Sequence, residues 1–166
     1  MPEAIARVVV YTFHHATRLH VRHPRSTEEA QYSLPFPVAA ALVHGGLPPQ
    51  TLMGPNLQHP AVMTLVEQIE VVEDPNLSKK FPAERWARVL IETMDGRQLD
   101  SGVVGPRWEA WEPPTDEELK LKFRGLASGV LPSSRTEALE NAIWRCTEAQ
   151  DLADLLALLC NPIGSS

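Results

Sequence analysis

Histidine and arginine crowd one stretch near the N-terminus, FHHATRLHVRH, residues 13–23. Histidine is the residue that most often binds zinc, but the spacing of the four histidines here matches no metal motif. The four are His14, His15, His20 and His23. Two arginines lie in the same stretch, Arg18 and Arg22, and Arg25 follows two residues after it. The pattern favours a solvated basic loop that holds no metal. Two functional alternatives stay open. In the first, the loop is a funnel for an anionic substrate, because arginine binds carboxylates in bidentate fashion. The second and weaker alternative is a metal-sensing loop.

The other reactive side chains lack the neighbours that catalysis requires. Ser33 follows a tyrosine and has no glycine-flanked elbow around it. Cys146 and Cys160 carry no motif of a thiol enzyme, and we expect free thiols. The glycines form neither a dinucleotide fingerprint nor a phosphate loop. The residues alone therefore predict no self-contained active site, no catalytic residue in this chain and no cofactor.

Composition narrows the class of protein. The chain has 166 residues and a formal net charge of -6, which argues against nucleic acid as the main partner, because phosphate binding needs a basic face. No apolar run approaches the roughly 20 residues of a membrane span. The N-terminus lacks the layout of a signal peptide. We expect a cytoplasmic protein with a single domain over residues 1–166.

Strand patterns occupy the first two-thirds of the chain and helix patterns the last third. Residues 4–13 are β-branched and read as a strand, and residues 69–72 alternate into another. Residues 84–94 and 97–104 flank Asp95-Gly96, a strong hairpin signal. Three helices are predicted beyond residue 115, the first opened by a Thr115/Glu118 capping box. This order predicts an α+β two-layer sandwich: a mostly antiparallel sheet with the helices of 27–43 and 115–159 on one face.

Two prolines interrupt the apolar run TEEAQYSLPFPVAAALVHGG, residues 27–46. A helix begins near Thr27, and Pro35 and Pro37 fall where its second turn would run. Either two helices meet at a kink, or the interruption presents side chains at a surface.

The same stretch resembles the opening of the second domain of the MmgE/PrpD family, which includes 2-methylcitrate dehydratase, cis-aconitate decarboxylase and iminodisuccinate epimerase. Three further stretches resemble that family in the right order: HPAVMTLVEQIEVVED, ETMDGRQLDSGVV and TDEELKLKFRGLASGVL. The resemblance as a whole covers nearly the whole chain, about residues 4–160.

The resemblance implies a lid domain whose partner is a large all-helical N-terminal domain, absent from this chain. It implies metal-free acid/base chemistry on a small polycarboxylate, by dehydration, decarboxylation or epimerisation, with the acid and base residues on the helical domain. We therefore expect this chain to be inactive alone and to bind a helical domain or itself. The alternative is a non-catalytic binding or assembly module that uses the same cleft face.

In the family that the chain resembles, the aromatic residue of a Ser-X-X-aromatic turn faces the cleft between the two domains. Here that place is held by Phe36, where the family often has tyrosine, so a hydroxyl is missing. The substrate-cleft candidates are Gln31, Tyr32, Ser33, Phe36, Arg18 and Arg22. The competing interpretation is that Phe36 fills the core beside a proline kink.

Overall fold

A computed structural model describes residues 2–160, which divide into two compact units between Pro106 and Arg107. Each unit is described by itself below. The prediction of one α+β domain over 1–166 stays a prediction, as does the placement of the C-terminal helices against the sheet. Within the described residues, no helix combines the length and apolar character needed to cross a bilayer.

The first unit contains a four-stranded mixed sheet in the order β2-β1-β3-β4. Its strands are β1 (Ile5–Thr12), β2 (Ile69–Glu73), β3 (Ala87–Thr93) and β4 (Gln98–Val104). β3 pairs antiparallel with both β1 and β4, whereas β1 and β2 run parallel. The mostly antiparallel prediction is confirmed, including the hairpin about Gly96, whose φ of 82° suits glycine. The parallel pair was not foreseen.

Eight α-helices and three short 3-10 helices lie in the described residues. The α-helices of the first unit are α1 (His14–Thr17), α2 (Thr27–Gln31), α3 (Pro35–His44), α4 (Pro60–Val66) and α5 (Pro75–Ser78). The run from residue 27 is therefore two helices. Pro35 occupies the first position of α3, where a missing N–H costs nothing because that amide has no partner within the helix. The basic stretch 13–23, predicted as a loop, includes the one-turn helix α1.

The core of the first unit lies between α3, α4 and one face of the sheet. Val8 and Val10 of β1 meet Ile69 of β2 and the buried sides of Phe36 and Val62. We call this the inner face of the sheet. The outer face alternates with it along each strand and carries two ion pairs, Arg7–Glu70 and Arg88–Asp100.

The second unit is helical. It contains α6 (Asp116–Ala127), α7 (Ser133–Trp144) and α8 (Ala153–Cys160), and the capping box of Thr115 and Glu118 is present. Arg124 joins α6 to α7 by donating to both carboxylate oxygens of Glu140, at 2.6 and 2.5 Å. These hydrogen bonds hold the pKa of Glu140 below its usual range. The three predicted C-terminal helices are thus confirmed.

Candidate functional site

Two neighbouring segments of the first unit, residues 18–23 and 31–34, are tied together by hydrogen bonds. The Leu34 amide donates to the carbonyl of Leu19 at 2.8 Å. The Ser33 hydroxyl donates to the carbonyl of Val21 at 2.5 Å. The two segments therefore form one layer at the start of α3, and their outward side chains share one surface.

Ser33 and Phe36 lie on the buried side of this layer and anchor it to the core. Ser33 is buried, and its Oγ accepts a hydrogen bond from the Phe36 amide at 3.1 Å, which satisfies a free N–H of the first turn of α3. The Phe36 ring is 0% exposed and belongs to the core cluster. The core interpretation of Phe36 therefore holds, and the cleft interpretation is corrected for its ring. The physical reason is that Phe36 lies on the side of α3 that packs into the core with Val8 and Val62.

Arg22 is also an anchor. Its guanidinium donates to the carbonyl oxygens of Val66 and Ile69, the latter at 2.7 Å, where α4 ends and β2 begins. The side chain is half-buried. A guanidinium that satisfies two backbone carbonyls holds segment 18–23 to the fold, and this geometry departs from the expected role of Arg22 in an anion funnel.

The remaining candidates point to solvent. Tyr32 is 71% exposed, and Gln31 and Arg18 are also exposed. Two apolar residues of the same layer, Leu19 and Val21, are exposed as well, which the sequence analysis missed. The sequence pattern that could have indicated their exposure is the alternation of apolar and basic residues in RLHVR. We call Arg18, Leu19, Val21, Gln31 and Tyr32 the loop–turn surface.

The four histidines do not converge. His14 pairs with Glu73 at 2.9 Å and His23 with Glu67 at 2.7 Å. His20 bonds the Arg18 carbonyl at 2.8 Å, and the His15 ring stacks on Phe81 with centroids 4.7 Å apart. Within residues 2–160, no group of three or more histidine, cysteine or acidic side chains is placed to hold a metal ion.

Glu73 fixes the beginning of the basic segment. Its carboxylate accepts hydrogen bonds from the His14 ring and from the Ser78 hydroxyl, the second at 2.8 Å. The His14 amide in turn donates to Ser78 Oγ at 2.8 Å. Hydrogen bonding to His14 first, and to Ser78 second, lowers the pKa of Glu73 from its usual value. The carboxylate therefore stays charged at neutral pH and ties α1 to the ends of β2 and α5.

The loop–turn surface offers a guanidinium, a primary amide and a phenol beside two aliphatic side chains. Such a set can bind a carboxylate and donate hydrogen bonds to it. The phenol and the guanidinium both carry hydrogen-bond donors, so both groups suit binding and orienting an anion.

Comparison with known proteins matches residues 1–148 to the family described as the MmgE/PrpD C-terminal domain. A cis-aconitate decarboxylase-like protein of Aspergillus oryzae, oryM, is 30% identical over 138 residues, which cover 82% of this chain and 28% of the relative. The cis-aconitate decarboxylases of Mus musculus and Homo sapiens are 24% and 25% identical over 141 residues, covering 84% of this chain and 28% and 29% of each enzyme. The chain therefore spans less than a third of the length of these relatives.

Proposed function

The chain belongs to the MmgE/PrpD family, whose C-terminal domain it carries over residues 1–148, and we propose that it forms the lid domain of a lyase acting on a small polycarboxylate. The observation that supports this most directly is the 30% identity with a cis-aconitate decarboxylase-like protein across 82% of the chain. The proposed reaction is decarboxylation of cis-aconitate or of a closely related acid, by metal-free acid/base chemistry. Dehydration and epimerisation are the other outcomes that the resemblance allows.

The loop–turn surface supplies the substrate contacts of this proposal. Arg18 is exposed at the end of α1, and its guanidinium binds one carboxylate of the substrate. Tyr32 and Gln31 donate hydrogen bonds to a second carboxylate. The anchored residues Ser33, Arg22 and Phe36 keep the two segments in register, so the contacts are preorganised.

The proton transfers of this proposal belong to the helical domain that the resemblance places before this one. In a decarboxylation the bond between carbon and the leaving carboxylate breaks, carbon dioxide departs, and the electron pair left on carbon takes a proton. The lid positions the substrate carboxylates and excludes water while this occurs. The lid alone therefore should not turn over substrate.

The test uses the protein as its source cells make it. The polypeptide that carries this chain is purified with whatever accompanies it and assayed with cis-aconitate, 2-methylcitrate and related acids. We expect turnover, with KM raised about tenfold by Arg18→Ala, since a charged hydrogen bond contributes roughly 1.5–3 kcal/mol. Residues 1–166 alone should give none. Turnover by residues 1–166 alone would place the catalytic groups within this chain.

A binding or assembly module is the second candidate, and position 36 favours it. The family that the chain resembles often has tyrosine there, whereas the phenylalanine of this chain is 0% exposed, so position 36 turns no side chain towards a substrate. In that case the purified native protein binds these acids, or a helical partner, without turnover. Binding measured by calorimetry in the absence of turnover would replace the lyase proposal with this one.

A further inference from the structure

Two histidines of the first unit lie in contact outside the basic stretch 13–23. His44 is the last residue of α3, and His59 is the residue immediately before α4. Their ring centroids are 5.0 Å apart, and the ring planes stand at 74° to each other. Residues 45–58 separate the two in the sequence, so their contact depends on the packing of α3 against α4. The sequence analysis did not single out either residue.

One ring nitrogen of this pair lacks a hydrogen-bond partner. His59 Nδ1 is shielded from solvent, and no hydrogen-bonding atom among the described residues reaches it. Buried polar atoms in native proteins are nearly always paired with the protein, with water or with an ion, so this nitrogen needs an explanation. The neighbouring residue, His44, is exposed. Its ring can therefore change orientation on a fast timescale.

The spacing of the two rings fits a shared metal ion. Zinc binds imidazole nitrogens at about 2.0–2.1 Å in tetrahedral geometry, which sets two imidazoles on one ion with their ring centres roughly 5 Å apart. The observed separation of the His44 and His59 rings is 5.0 Å. An ion bound at His59 Nδ1 satisfies the unpaired nitrogen once the His44 ring turns towards it. Water completes the coordination, since no group of three or more histidine, cysteine or acidic side chains forms within residues 2–160.

The charge of the surrounding segment favours a cation at this pair. From residue 26 to residue 78 the sequence has six carboxylates and neither lysine nor arginine. The basic stretch 13–23 differs on both counts. It contains Arg18 and Arg22, and two of its histidines are already paired with carboxylates. A metal ion therefore meets less electrostatic opposition at His44 and His59 than among the four histidines near the N-terminus.

The pair lies at the opposite end of α3 from the loop–turn surface. The ten residues of α3 rise about 1.5 Å each, so roughly 15 Å separates its two ends. An ion at His44 is too far away to contact a substrate held at the loop–turn surface. Its effect is structural, because residues 45–58 contain two short 3-10 helices but no α-helix or strand. An ion that joins His44 to His59 closes this connection at its base.

We propose that His44 and His59 form a binding site for a divalent transition-metal ion of the zinc, nickel and copper class, which ties the end of α3 to the start of α4. Imidazole nitrogen is a preferred ligand of these ions, whereas magnesium and calcium take oxygen ligands. The inference does not depend on the proposed lyase function, whose acid/base chemistry uses no metal.

Zinc titration of the chain tests the site. The protein is treated with EDTA, dialysed and titrated with zinc chloride by calorimetry, and long-range ¹H–¹⁵N NMR of the imidazole nitrogens identifies the histidines that bind. We expect about one ion per chain at this pair, with shifted nitrogen resonances of His44 and His59. The urea midpoint should rise when zinc is in excess, because an ion that binds the folded chain stabilises it. Magnesium chloride should give neither effect.

His44→Gln is the decisive variant, because His44 is exposed and its replacement leaves the fold intact. It should weaken zinc binding at least about tenfold, a loss seen even for residues that only support a metal ligand. His59→Gln should weaken binding likewise. The matched control is His15→Gln, since His15 is also exposed and also contacts another ring, that of Phe81. This control should bind zinc as the parent chain does.

Three results would overturn the proposal. The first is a parent chain that binds no zinc below about 1 mM, which would leave water as the partner of His59 Nδ1. The second is zinc affinity that stays unchanged in His44→Gln. The third is an equal loss in His15→Gln and His44→Gln, which would place the ion in the basic stretch 13–23.

Discussion

Tyr32 and Phe36 lie four residues apart around the same turn, and their surroundings are opposite. The Tyr32 ring is 71% exposed, whereas the Phe36 ring is 0% exposed. The family resemblance centres on the Ser-X-X-aromatic turn, yet in this chain both ends of that turn, Ser33 and Phe36, face inward. The turn therefore anchors the layer, and the residues just before it, Gln31 and Tyr32, are what the layer presents.

The largest expected effect on stability comes from the inward-facing residue, Phe36. Phe36→Ala should lower the free energy of unfolding by about 3–5 kcal/mol, because it deletes a fully buried ring and leaves a cavity. Tyr32→Ala is the matched control and should change that free energy by less than about 0.5 kcal/mol. Urea titration of both variants measures the two values.

Equal losses of unfolding free energy in Phe36→Ala and Tyr32→Ala would contradict the inward placement of Phe36. Phe36→Tyr is a second test of the same placement, because a hydroxyl that is buried in the apolar core without a hydrogen-bond partner costs roughly 1–3 kcal/mol. A Phe36→Tyr variant as stable as the parent would mean that the far edge of the ring reaches the surface, which would return position 36 to the cleft.

Ser33 should give an intermediate effect. Ser33→Ala removes the acceptor of the Phe36 amide and the donor to the Val21 carbonyl, and leaving the buried amide unpaired costs roughly 1–3 kcal/mol. Amide hydrogen exchange should quicken at Phe36 and at Leu34, which bonds the Leu19 carbonyl. Ser128→Ala, at an exposed serine, is the control and should change stability by less than about 0.5 kcal/mol. If exchange at Phe36 is unchanged in Ser33→Ala, the hydroxyl does not anchor the turn.

Sequence reasoning succeeded where the determinants are local. The Asp95-Gly96 turn, the Thr115/Glu118 cap and the alternation in residues 84–94 each depend on neighbours within a few positions, and the structure contains the hairpin and the capped helix. The fold class followed from them.

The burial of Phe36 could not be read in the same way. It depends on the rotation of α3 about its axis, and the flanking prolines fix where the helix begins but not which side faces the sheet. The role of Arg22 depends on carbonyl oxygens more than forty positions away in the sequence. The parallel pairing of β1 and β2 is likewise non-local. The inward and outward orientations of the candidate side chains therefore could not be predicted from local sequence, and their role at a substrate cleft stays a prediction.

The smallest expected effect concerns pH and the first anchor of the basic segment. The folded-state pKa of Glu73 lies below its usual 4.5, because the His14 ring and the Ser78 hydroxyl donate to the carboxylate. A depressed pKa means that the unfolded chain binds the proton more tightly than the folded one. The stabilisation is therefore fully present above pH 4.5 and is lost as the pH falls through the lower folded value.

Glu73→Gln should abolish this dependence, so that stability falls less steeply than in the parent as the pH is lowered from about 5 to 3. Glu92→Gln, on the outer face of β3 and outside this network, is the control and should retain the parental slope. Carbon-detected NMR titration of the Glu73 carboxyl gives the midpoint directly, and exchange at the His14 amide, which donates to Ser78 Oγ, reports whether α1 loosens with it. A midpoint at or above 4.5 would show that His14 and Glu73 are not paired in solution. The anchors of the loop–turn surface would then be Ser33, Phe36 and Arg22, and the segment leading into it from β1 would be free to move.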